Sequence, residues 1–179
     1  RRIMLVHAWR KHLTFSADRK LIEYLPKETK QAWRRRTQEH WGLMEWVNDS
    51  CNRFKVDRLL IEAKASGISA AQELRNRFGL QTWSVQLCPV HGDKVARALA
   101  CQPTFSQQMV YAPARDWAEM VIDEMAVFPK GKYKDLTDSA TQGIKHLRDI
   151  GLAQTDEEGM AADADRVTHR PPAKALYPV

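Results

Sequence analysis

Long apolar runs are missing from this chain of 179 residues. None approaches the roughly 18 to 20 consecutive apolar residues that span a bilayer, and Ile3, Met4, Leu5 and Val6 are too few for the core of a secretory signal. Cysteine is scarce as well. Cys51, Cys88 and Cys101 are odd in number, far apart and without a CxxC pair, which argues for reduced thiols and against a structural zinc site. No GxxxxGK(S/T) loop occurs, so P-loop nucleotide binding is excluded. Between residues 28 and 54 there is no proline and one glycine, Gly42.

What is present suits one α/β domain of ordinary size, residues 1–150, with an appendage at 151–179. Hydrophobic residues make up 44% of the chain. The net charge of +6 is unevenly placed. Residues 1–55 hold 13 Lys and Arg against 6 acids, residues 56–150 hold 12 against 11, and residues 151–179 hold 3 against 5. An N-terminal basic excess of this kind favours a polyanion, most simply nucleic acid, and serves solubility equally well.

The chain opens on apolar residues from Ile3 to Trp9 with no lead-in, as though entered in the middle of a domain. Leu13 and Phe15 suggest a second strand that pairs with the first through a turn at residues 10–12. His7 and His12 have no neighbours that complete a metal set. From 28 to 54 the spacing of His40, Leu43, Met44, Val47, Cys51 and Phe54 reads as one long amphipathic helix. Trp33, Trp41 and Trp46 widen its apolar surface, and Arg34, Arg35 and Arg36 fan around it, at least one within reach of a phosphate. Later come a strand at 82–87, a short helix at 91–100 with Asp93 as its cap, a strand at 109–111 and an amphipathic helix at 116–127. Alternating strands and helices point to an α/β fold with at least partly parallel pairing.

Two stretches stand out. In residues 56–74, VDRLLIEAKASGISAAQEL, the run Leu59, Leu60, Ile61 fits a strand covered on both faces and stops at Glu62. Ala65, Ser66 and Gly67 read as a turn, and 69–78 as a helix. A carboxylate therefore stands at the exit of a central strand, the edge where open α/β sheets bind ligands. The plainer alternative is a solvated strand-end acid. In residues 128–143, FPKGKYKDLTDSATQG, a Pro-Gly loop leads into a helix with Asp135 and Asp138 at its start. Acids there suit an N-cap and the helix dipole. Beside Glu62 they would equally suit a hard divalent cation.

The ordered blocks LLIEAKASG, AQELRNRFGL, GDKVARALA, MVYAP, WAEMVIDEM and FPKGKYKDLTDSATQGIKHL resemble the C-terminal nuclease domain of the large terminase subunit of tailed bacteriophages or prophages. The resemblance covers residues 1–150. It implies an RNase H-like fold, a mixed sheet flanked by helices. It further implies an Mg²⁺- or Mn²⁺-dependent endonuclease, a hydrolase that cuts concatemeric viral DNA during genome packaging in the cytoplasm of the bacterial host. The implied partners are double-stranded DNA, the portal protein, the terminase small subunit and an ATPase domain normally in the same polypeptide, with no membrane.

On that resemblance Glu62 matches the family's strand-end acid, and Asp135 and Asp138 match the last two acids of its Asp-Asp-x-x-Asp. Lys134 stands where the first of those acids is usual. The first catalytic aspartate of such nucleases lies on an opening strand, which here would precede Arg1, so the domain reads as lacking its first strand. The implied mechanism is phosphodiester hydrolysis by two metal ions about 4 Å apart, held by that aspartate, Glu62 and Asp135, with Asp138 as further ligand or orienter. Lys64, Lys94, Arg97, Lys132, Lys134, Arg34 and Arg35 are the expected DNA contacts. In the matching GDKxxR block, Asp93, Lys94 and Arg97 carry a structural or phosphate-facing role. The alternative is a noncatalytic DNA-binding or portal-docking remnant, favoured by Lys134. A junction resolvase is a third reading, against which the FP-x-G loop and the GDKxxR block argue. Residues 151–179 read as a flexible polar tail with a short apolar docking motif at 176–179.

Overall fold

The computed structural model describes residues 2–89 and 92–168. The architecture is mixed α/β, mostly helical, with two small parallel two-stranded sheets. The chain divides into two compact units, one of Trp9–Gly92 and the other of Arg1–Ala8 with Asp93–Val179. Among the described residues no helix is long and apolar enough to cross a membrane.

In the Trp9–Gly92 unit, strand β2 (Arg58–Glu62) pairs in parallel with β3 (Ser84–Cys88), Arg58 opposite Ser84 and Glu62 opposite Cys88. Helix α3 (Ala65–Phe78) joins them. The strand is half-buried along Leu59, Leu60 and Ile61 rather than sealed on both faces. Residues 65–67, read from sequence as a turn, are instead the first turn of α3, so the chain reverses over Ala63 and Lys64 alone. Gly67 makes that possible: a Cβ there would lie 2.0 Å from the Glu62 carbonyl oxygen. Met44, Cys51, Ala70, Leu74 and Trp83 form the core, with Val47, Val56, Ile61 and Val85 against it. Burying a side chain such as Leu74 contributes on the order of 1.5 to 3 kcal/mol.

The single helix expected over 28–54 is two, α1 (Lys30–Thr37) and α2 (Leu43–Arg53), separated by a tight turn at Gln38–His40 and extended backbone at Trp41 and Gly42. The break is tertiary in origin. The Ser16–Ala17 backbone crosses Gly42 so closely that a Cβ would meet the Ser16 carbonyl carbon at 2.6 Å. The hairpin expected over 3–15 does not form either. Residues 5–14 have no regular structure, and the Thr14 and Phe15 carbonyls instead accept from the Leu43 and Met44 N–H groups at 2.8 and 3.3 Å, satisfying the start of α2.

In the other unit, β1 (Ile3–Met4) pairs in parallel with β4 (Val110–Tyr111), a partner more than a hundred residues away. Helices α4 (Lys94–Ser106), α5 (Asp116–Ala126), α6 (Asp135–Asp149) and α7 (Asp156–Thr168) complete it. Cys101 and Thr104 of α4 and Thr141 and Ile144 of α6 are buried. Ile3, Leu99, Phe105, Val121, Met125 and Ile144 line an open apolar cavity of about 990 Å³. The tail expected to be flexible from residue 151 holds a helix, closed by a reciprocal cap in which Glu158 accepts from the Thr155 N–H at 3.0 Å and Thr155 Oγ1 from the Glu158 N–H at 3.1 Å. The motif at 176–179 lies outside the described residues. Among the described residues the strands pair only in twos, and no RNase H-like sheet is formed.

Candidate functional site

Glu62 closes β2, where the local sequence places it. The apolar strand ends at its carboxylate, the Ala63 N–H still bonds to the Cys88 carbonyl at 2.8 Å, and α3 begins at Ala65. Its side chain is 24% exposed and forms an ion pair with Lys64 Nζ at 2.7 Å. Lys64 reaches it because the backbone turns after Glu62; Lys64 occupies the extended position just before α3 rather than a continuing strand. An exposed pair of this kind is worth little to stability and leaves the acid within reach of solvent.

Asp135 and Asp138 sit at the start of α6. Neither is the cap. That position is Lys134, which offers no side-chain acceptor to the helix, so Asp135 is the first helical residue and is exposed. Asp138 faces α4, where Lys94 Nζ forms a close ion pair with Oδ2 and Arg97 approaches Oδ1 at 3.6 Å. The Arg97 side chain is 9% exposed and the Asp138 side chain 14%. The GDKxxR block and the acidic stretch thus meet, and the basic residues of the former are turned toward a carboxylate. Asp93 precedes α4 but its side chain makes no cap hydrogen bond.

The remaining cations differ in their partners. Arg34 is held by Asp49 at 2.9 Å, and Arg36 by Glu28 at 2.8 Å, a bond that keeps the Glu28 carboxyl below its ordinary range. Arg35 between them is exposed. Lys132 and Lys134 are exposed in the loop before α6, Lys132 with its ammonium 5.1 Å from the Tyr133 ring centre.

Glu62, Asp135 and Asp138 supply hard oxygen donors suited to Mg²⁺ or Mn²⁺. Within either unit, among the described residues, no group of three or more His, Cys, Asp and Glu gathers to hold a metal ion. By donor chemistry and exposure Glu62 and Asp135 fit a ligand's role, whereas Asp138 is already engaged by two cations.

Sequence reasoning missed Glu124. This residue of α5 is 7% exposed, and its Oε1 accepts from the Thr137 N–H at 2.9 Å. The only sign in the sequence is an acid where the amphipathic pattern of 116–127 expects an apolar residue, three after Val121. No family model, curated protein or solved structure matches the chain.

Proposed function

We propose that this chain is the DNA-cutting part of a phage packaging terminase, a metal-dependent endodeoxyribonuclease acting on concatemeric double-stranded DNA. The observation that carries the reading is Glu62 at the carboxyl end of a parallel strand, with the close-packed turn to α3 that Gly67 permits. This is where an α/β sheet offers a ligand-binding edge. The ordered blocks described above and the exposed Asp135 after the lysine-bearing loop support it further. Mg²⁺ or Mn²⁺, when bound, would activate water and stabilise a leaving oxygen. Glu62 is assigned as a ligand within its own unit, and Asp135 as a ligand within the other, with Asp138 as an orienting acid beside it. Lys132, Lys134 and Arg35 are assigned to backbone phosphates, a sequence-independent and salt-sensitive contact. The RNase H-like fold belongs to this proposal; it requires more strands beside β2 and β3 than the described residues supply. The portal protein, the small subunit, a linked ATPase domain and the host cytoplasm follow from the same reading.

A second reading, a noncatalytic DNA-binding or portal-docking module, rests on Lys134 in place of an acid and on the two cations at Asp138. Plasmid nicking in Mn²⁺, Mg²⁺ or EDTA decides between them, run on this chain and on a form extended upstream. Cutting by either form that EDTA abolishes supports the nuclease. If both forms bind DNA and neither cuts, the binding module stands in its place.

A further inference from the structure

The first turn of α6 carries two acids, Asp135 and Asp138, and a third, Glu124 of α5, bonds to its backbone. A helix start leaves its first N–H groups without intrahelical partners, and a side chain at the preceding position normally accepts one of them. Lys134 provides no such acceptor. Glu124 takes over the role from a different helix: its buried carboxylate accepts from the N–H of Thr137, the third helical residue, itself 2% exposed. One residue later Asp138 is fastened to α4 through Lys94 and Arg97. The turn is thereby held on two sides by neighbours, and Asp135, its first residue, is the acid left facing outward.

We propose that Glu124 is a positioning residue, a cap supplied from α5 that fixes the α6 start so that Asp135 presents its carboxylate in one orientation. The proposal rests on the metal-ligand reading of Asp135 given above. Partners that orient a ligand typically change metal affinity by about 10- to 100-fold when removed. Burial makes Glu124 selective in this role, because an apolar replacement leaves the Thr137 N–H buried and unsatisfied, whereas glutamine keeps an acceptor oxygen of the same reach.

The test uses ¹⁵N-labelled chain as wild type, Glu124→Gln and Glu124→Leu. Amide exchange is measured at Thr137 and, as a reference within the same helix, at Ile144, and Mn²⁺ is titrated while signal broadening near Asp135 is followed. Glu124→Leu is expected to speed Thr137 exchange at least tenfold relative to Ile144 and to weaken Mn²⁺ binding about tenfold or more, and Glu124→Gln to restore both. Unchanged Thr137 exchange in Glu124→Leu overturns the cap. Faster exchange with unchanged Mn²⁺ affinity overturns the positioning role. A wild-type chain whose α6 signals ignore Mn²⁺ overturns the metal-ligand reading itself, and the positioning role falls with it, while Thr137 exchange still reports the cap separately.

Discussion

Two helix starts, one in each unit, solve the same problem by different means. At α2 the buried Glu45 is the third helical residue and folds back on its own helix, accepting from Gly42 N–H at 3.1 Å and from Ala17 N–H at 3.2 Å, with Arg77 paired to it at 3.0 Å. At α6 the corresponding acceptor, Glu124, comes from thirteen residues upstream of the N–H it satisfies. The first solution ties the helix to a loop of its own unit, whose Thr14 and Phe15 carbonyls take the Leu43 and Met44 N–H groups while Glu45 on the helix holds the loop in return. The second depends on the packing of α5 against α6, so the orientation of Asp135 is a property of tertiary structure. A strand-end acid such as Glu62 is placed by its own strand and turn; an acid on a helix capped from elsewhere is only as well placed as its neighbours make it.

The comparison is broken most severely by removing the acids themselves. Glu62→Ala and Asp135→Ala are each expected to lower metal-dependent nicking on the order of 10²- to 10³-fold, the scale on which one electrostatic group acts at a reacting centre, with circular dichroism unchanged. Loss in Glu62→Ala alone would reduce α6 to a structural element.

Packing distinguishes the units next. Leu74, 1% exposed in the closed core of the Trp9–Gly92 unit, should cost about 2 to 5 kcal/mol when changed to alanine. Leu99→Ala, at a residue 61% exposed beside the open apolar cavity, should shift urea denaturation by no more than about 0.5 kcal/mol. The local cap is then tested by Glu45→Ala, for which about 1 to 2 kcal/mol is expected; a negligible change would place the stability of α2 in its apolar contacts alone.

A further effect is alkaline. Burial raises the Cys51 thiol from its ordinary 9.0 to about 11. The folded state disfavours the thiolate, so this contribution is fully present below pH 9 and is lost as pH rises toward about 11. Cys51→Ala lowers stability at neutral pH through lost packing and should flatten the fall between those values. An unchanged alkaline slope would mean that another group titrates there.

Much of this was legible along the chain. The strand that stops at Glu62, the body of the helix at 69–78 and the strand near 82–87 are marked by local signals, an apolar run ending at an acid and a glycine at 79, whereas Gly67 reads as a turn and is in fact inside α3. The hairpin failed because Ile3 and Met4 find their partner at Val110 and Tyr111, while Thr14 and Phe15 are used to satisfy α2. The break at Gly42 is set by the Ser16–Ala17 backbone and leaves no periodic trace. Helix α7 was announced by Thr155 and Glu158, a T-x-x-E cap that the acidic composition of 151–165 masks. At the candidate site the acids were readable as residue types at a strand end and a helix start. The engagement of Asp138 by Lys94 and Arg97 was not, because it joins positions more than forty residues apart.

The most direct measurement is the binding of Mn²⁺ to this chain by electron paramagnetic resonance, compared with Glu62→Ala and Asp135→Ala at matched fold. Saturable binding by the wild type, weakened at least tenfold by either substitution, is the expected result. Binding that neither substitution alters, or its complete absence in the wild type while DNA is still bound, would contradict it.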